Sequence, residues 1–356
     1  MKSNRNYILV SAIIALICLT YRISNFDRAF PEFSINMQIS KEEALQNARS
    51  FLESRHFDLT GYHESVIFSS NSISLRYLER ELGVQRATTL AQDSVDIWHW
   101  QVRFFKPLDP LEYSARISTN GKVIGFNRVI LEKERGPSLD PNIAQKLAEA
   151  FLKSHFQLEF ENWEFVEVNS SDKPERRDHH FTFEKRDFRA ADAPLRLRIT
   201  VQGAQIGGFS QYLKVPQAWQ RDFDRQQSRN MLFHTIARLL AGLMVIGMFY
   251  HFFVHIRDGQ VPWRITIILA SILAGANFLL EINALPVAMS GYRTTETYSV
   301  FLGMRVLRSL MLGIMQGMSL MVLIGSGEYL YRKDFPGKLA LQNILRWRGF
   351  QSREFI

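Results

Sequence analysis

Residues 115–126 read ARISTNGKVIGF and residues 197–209 read LRITVQGAQIGGF. Aligned without gaps, Arg116, Ile117, Gly121, Ile124 and Gly125 fall on Arg198, Ile199, Gly203, Ile206 and Gly207. Each copy sets a strand-like run, a glycine-containing turn and a second run in order, the pattern of a β-hairpin. A hairpin written twice in one chain implies a duplicated unit, so the duplication should extend into the flanking residues.

It does. Residues 40–57, SKEEALQNARSFLESRHF, place Ala44, Leu45, Ala48, Phe51 and Leu52 at helical spacing behind Ser40, a side chain that can cap the first turn. Residues 138–156, SLDPNIAQKLAEAFLKSHF, repeat the stripe with Ala144, Leu147, Ala148, Phe151 and Leu152. There Asp140 is the cap and Pro141 occupies the first turn. Between helix and hairpin lie further strand-like runs: DIWHWQVRFF at 96–105, with Trp98, Trp100, Val102 and Phe104 alternating onto one face, and the weaker HHFTFEKRDF at 179–188. The expected fold class is therefore a tandem pair of α+β domains, each a helix packed on its own small antiparallel sheet.

The remaining organisation follows from hydropathy and charge. YILVSAIIALICLTY, at 7–21, is uncharged and follows Lys2 and Arg5. It reads as an uncleaved signal anchor in preference to a cleaved signal peptide, because no small-x-small site follows it. Apolar runs at 231–256, 265–289 and 300–325 each exceed the roughly 20 residues a spanning helix needs. Arg257 and Arg264 flank one connection, Arg293 alone lies in the next, and Arg332, Lys333, Lys338, Arg346, Arg348 and Arg353 crowd the tail. A start inside the cell and four spans put the basic segments in the cytoplasm and residues of about 24–228 outside a bacterial inner membrane. The expected divisions are 1–29 anchor, 30–134 and 135–228 α+β domains, 229–328 three-helix membrane region, and 329–356 basic tail. The net charge of +8 is explained by that tail and anionic lipid, so no nucleic acid is implied. A single cysteine, Cys18, excludes an internal disulfide framework.

Helix, strands and a hairpin written Arg-Ile-x-x-x-Gly-x-x-Ile-Gly resemble the PepSY class of small bacterial extracytoplasmic domains. A tandem pair of these between an anchor and further helices resembles the amino-terminal half of long bacterial CPBP-family proteins, the CAAX-protease and bacteriocin-processing intramembrane proteases. Residues 327–355, GEYLYRKDFPGKLALQNILRWRGFQSREF, resemble the junction that precedes the protease helices in that family. The resemblance implies a Glu-Glu-x-x-x-Arg helix in the membrane and later histidine motifs. Here Glu42 and Glu43 are followed by Asn47 where arginine is expected, and Phe151 with His155 spells Phe-x-x-x-His on the second exported helix. Both pairs read as solvated helix faces, so no catalytic residue is assigned. The catalytic helices would come after Ile356, and the chain is expected to be a fragment or a shortened relative.

No cofactor or metal site is assigned either. His251 and His255 share a helix face but lack the following glutamate of a zinc protease. Met304, Met311, Met315, Met318 and Met321 are packing residues before they are copper ligands. His179 and His180 read as part of a charged, solvated loop entering a strand. The polar residues inside the apolar runs are more informative: Arg238, Glu281, Arg305 and Arg308 all fall toward the outer side, where an unpaired charge is unfavourable. Glu281 is expected to approach one of the three arginines. Gly313 with Gly317, and Ser271 with Gly275, supply small residues for close helix packing. The expected function is a regulatory or substrate-recruiting extracytoplasmic module of a CPBP-type protease. The alternative is a non-enzymatic membrane sensor or assembly protein that couples binding outside to a cytoplasmic partner. The partners implied are the lipid bilayer and a protein or peptide ligand of the outer domains.

Overall fold

The computed structural model of the chain describes residues 2–26, 35–257, 261 and 263–335. Of the basic tail expected at 329–356, residues 336–356, with Lys338, Arg346, Arg348 and Arg353, lie outside the described residues, as do residues 27–34. The chain divides into two compact units, Met1–Trp219 and Gln220–Ile356.

The first unit begins with helix α1 (Lys2–Ser24). Helix α2 (Lys41–Ser54) starts on a capping box: Glu43 N–H donates to Ser40 Oγ at 3.2 Å, and Ser40 N–H donates to Glu43 Oε2 at 2.7 Å. Strand β1 (His63–Ser70) follows, then helices α3 (Ser72–Leu82) and α4 (Val84–Asp93), then strands β2 (Trp98–Phe105), β3 (Glu112–Ser118) and β4 (Val123–Val129). The second repeat has helix α5 (Pro141–Phe156), a 3-10 turn at Gln157–Asn162, and strands β5 (Trp163–Lys173), β6 (Arg176–Ala190), β7 (Ala193–Gln202) and β8 (Gln205–Leu213). Asp140 caps α5 by accepting from Asn142 N–H at 2.8 Å.

Each repeat is thus a helix followed by a four-stranded antiparallel meander, with α3 and α4 inserted in the first. The two meanders do not stand as separate sheets. Strand β4 pairs antiparallel with β8, which joins them into one eight-stranded sheet ordered β1-β2-β3-β4-β8-β7-β6-β5. The last strand of each meander would otherwise be an edge with unpaired N–H and C=O groups, and pairing the two edges removes both. One transverse row of this sheet, Val102, Ala115, Phe126, Phe209, Ile199 and Phe181, is buried throughout. The stripes of α2 (Ala44, Ala48, Leu52) and α5 (Ala144, Ala148, Phe151, Leu152) are buried in the same core.

Besides the separate sheets, two further expectations are corrected. The charged run around His179 is not a solvated loop. It is strand, with Arg176, Asp178 and His179 buried and His179 bonded to Ser170 Oγ at 2.8 Å and Leu139 O at 3.0 Å. Arg176 forms a two-pronged bond to Asp178 (2.9 and 3.2 Å) and donates to the carbonyls of Leu131 and Glu134, so it holds the connection between the repeats. Phe151 and His155 are not a solvated face either: Phe151 is buried, and the half-buried His155 ring lies 4.7 Å from Phe209.

The second unit is helical. Helix α6 (Gln217–Arg257) begins in the first unit and ends in the second; α7 (Trp263–Asn283), the short α8 (Leu285–Ser290) and α9 (Tyr298–Asp334) complete it. Helices α6, α7 and α9 are long and apolar enough to cross a membrane, and they expose most of their apolar side chains. The chain is a mixed α+β unit with one open antiparallel sheet, joined to a region of long apolar helices.

Candidate functional site

Helices α7 and α9 pack antiparallel through a ladder repeated every four residues. A Cβ added to Gly317 would lie 2.9 Å from Ala270 O, and one added to Gly313 2.9 Å from Ala274 O, so both positions require glycine. One step further Ser309 Oγ donates to Phe278 O at 3.4 Å, and a step beyond that Arg305 Nη2 lies 3.4 Å from Glu281 Oε2. Of the four sequence candidates, the structure brings these two together. Arg238 and Arg308 are exposed, with no ion pair among the described residues. The small residues of α7 that meet the glycines are Ala270 and Ala274, displaced by one position from Ser271 and Gly275; Gly275 has nothing near it. The Glu281–Arg305 pair is one-quarter to one-third exposed, and Arg305 Nε is buried without a hydrogen-bond partner.

The other candidate ligands remain apart. His251 is exposed on α6, and the side chain of His255 lies outside those described. Among the described residues no three His, Cys, Asp or Glu side chains gather as metal ligands would. Met304, Met311, Met315 and Met318 are exposed on α9.

A second constellation lies on the sheet face opposite the two helices. Strand pairing lines up Gln101, Arg116, Gly125, Ser210 and Arg198 in one row across β2, β3, β4, β8 and β7. The next row on the same face holds Ser114, Asn127, Gly208, Thr200 and His180. Side chains alternate between faces along a strand, so these rows flank the buried row on its far side. Together they line a shallow cavity of about 470 Å³.

Gly208 lies in its floor, and Gly125 lies beneath Arg116. A Cβ at Gly125 would meet Arg116 Nη2 at 2.8 Å, and one at Gly208 would meet Phe126 O at 2.8 Å, so the guanidinium of Arg116 lies directly over bare backbone. Burial pulls the pKa of Arg116 down. His99, buried on the same face, is held neutral to about pH 4, first by burial and then by the charge of Arg116. His180 is lowered by burial and then by Arg198.

The gapless hairpin alignment does not describe how the repeats correspond in space. Counted outward from Phe126 and Phe209, Gly125 corresponds to Gly208 and Arg116 to Thr200. The first hairpin turns through Thr119–Gly121, and the second through Gly203 and Ala204 alone, with Gly121 (φ +90°) and Gly203 (φ +61°) in left-handed conformations. This offset puts both motif arginines in the same row.

No protein-family model matches the chain, and no curated protein matches it. Among solved structures, the YpeB C-terminal domain of Bacillus megaterium matches 48% of this chain at 19% identity and a TM-score of 0.30. The chain spans 62% of the length of that chain.

Proposed function

We propose that this chain is a membrane-anchored regulatory protein whose PepSY-like α+β unit lies outside the cytoplasmic membrane and recruits a ligand or substrate for a CPBP-type intramembrane protease. The observation behind this reading is helix α6. It starts four residues after β8 and runs without interruption into the first apolar stretch. Its first turn is anchored in the α+β unit by Trp219, whose Nε1–H donates to Glu81 Oε1 at 2.8 Å and whose ring lies 5.2 Å from Tyr77. Binding on the sheet would then bear on the same helix that enters the membrane. The protease association rests on the resemblance of residues 327–355 to the family's junction.

A second reading, a sensor that signals through its cytoplasmic tail without any protease, is favoured by the cationic cavity on the sheet. One experiment tests the topology that both readings share, and a second separates them. Reporters fused at Asn120 and Gly337 should be active outside and inside the cell respectively; activity on the same side for both would end the topology. Reconstitution with a CPBP-type protease from the same cell should alter its cleavage of a membrane substrate. An unchanged rate and cleavage pattern would remove the protease partner and leave the sensor.

A further inference from the structure

We propose that the Arg116–Arg198 cavity is a binding site for an oxyanion, a carboxylate or phosphate group carried by a small ligand. Three observations converge on this chemistry. First, the two arginines are unlike their neighbours. Arg103 is paired with Glu112 at 2.7 Å, and Arg196 with Glu184 at 3.0 Å. Neither Arg116 nor Arg198 has an ion pair or a side-chain hydrogen bond among the described residues, and no Asp or Glu lines the cavity. The Arg198 guanidinium carbon lies 5.5 Å from the centroid of the Tyr212 ring, a cation–π contact that gives its N–H groups no oxyanion partner.

Second, the surroundings suit an anion. Gln101, Ser114, Asn127, Thr200 and Ser210 add uncharged polar groups that can donate. Gly208, without a side chain, leaves the sheet backbone bare at the cavity floor. Third, Arg116 is already partly desolvated over Gly125, a condition in which a guanidinium–oxyanion bond is stronger than in water. A planar guanidinium fork matches carboxylate and phosphate oxygens in pairs.

The proposal rests on the α+β unit being a binding module, but its site is independent of sidedness. If the reporters failed, the ligand would be a cytoplasmic one and the cavity would still bind it.

The test uses the full chain in neutral detergent, with inorganic phosphate and citrate as probes and sodium chloride at matched ionic strength as the reference. One or both probes should raise the thermal midpoint saturably at millimolar concentration, and the one that does so identifies the group. Arg116→Gln and Arg198→Gln should each weaken the effect at least tenfold. Phenylglyoxal labelling of the unaltered protein gives a readout that needs no variant: the bound probe should slow modification of Arg116 and Arg198 but not of exposed Arg225. A rise no larger than in sodium chloride, or equal protection of all three arginines, would overturn the site.

Discussion

Phe126 on β4 and Phe209 on β8 stand opposite each other across the seam of the sheet, with ring centroids 5.6 Å apart. Phe51 of α2 lies 5.4 Å from Phe126, and Phe151 of α5 lies 5.6 Å from Phe209. The equivalent phenylalanines of both repeats therefore meet at one place. Arg55 covers the cluster, its guanidinium 4.4 Å above Phe151. The seam is a hydrophobic core shared by the repeats, and neither half can bury these rings alone.

Truncating either seam ring should be costly. Phe126→Ala and Phe209→Ala should each destabilise the α+β unit by roughly 3–5 kcal/mol. Because the rings touch, the double variant should lose less than the sum. Chemical unfolding of the full chain in detergent, followed by tryptophan fluorescence, measures both. Additive losses would show that the seam is not a shared core.

The Arg176–Asp178 pair should behave as a buried ion pair. Its side chains are 3% and 6% exposed, so Asp178→Ala leaves a guanidinium buried without its carboxylate and should cost about 3–5 kcal/mol. The exposed pair Arg225–Asp222 provides the contrast: Asp222→Ala should change stability by no more than about 1 kcal/mol. Unfolding midpoints of the two variants check this directly.

Stability should fall on acidification through His99. Its folded pKa of about 4 lies below its ordinary 6.5, so as pH drops the unfolded chain takes up the proton first. The contribution is complete above pH 6.5 and is lost as pH falls toward 4, by on the order of 2 kcal/mol between pH 7 and pH 5. His155 and His180, also lowered, act in the same direction, whereas Asp96, raised by burial, opposes them. Unfolding curves at the two pH values should converge for His99→Gln; an undiminished pH dependence in that variant would assign the effect elsewhere.

In the helical unit, Gly313 and Gly317 should be less tolerant than Gly275. A leucine at either ladder position must push α7 away from α9, whereas Gly275→Leu meets open space. The Glu281–Arg305 pair closes the same ladder, and Glu281→Gln should cost only about 0.6 kcal/mol, the average for polar contacts between membrane helices. The charge swap Glu281→Arg with Arg305→Glu should recover most of a loss seen in Glu281→Arg alone. Thermal unfolding in lipid nanodiscs reports each step, and a swap no better than the single variant would mean that the pair contributes nothing to packing.

Helix periodicity was legible because it depends on local spacing: the stripes of α2 and α5, the caps at Ser40 and Asp140, and the long apolar helices all fall where they were expected. Strands β5 and β6 were harder to read. Arg176, Asp178 and His179 look soluble as letters, and become core residues only through bonds to one another and to distant carbonyls. Helix α3 had the apolar spacing of Leu75, Leu78 and Leu82 as a signal, which the paired repeats overshadowed. The cavity arginines were visible as the repeated first letter of the hairpin motif. What the letters could not show is that the two arginines are not spatial equivalents, since Arg116 corresponds to Thr200.

The sequence by itself determined that a helix-and-meander unit occurs twice and that long apolar helices accompany it, because periodicity and hydropathy act over a few neighbouring residues. Only the tertiary structure decided that the two meanders share one sheet. That choice is made by two strand edges that must both find hydrogen-bond partners, and by the rings of Phe51, Phe126, Phe151 and Phe209, which pack on one another where the repeats come together. The same seam brings Arg116 and Arg198 into one row although 82 residues separate them, since their alignment depends on the β4–β8 register and on two turns of unequal length.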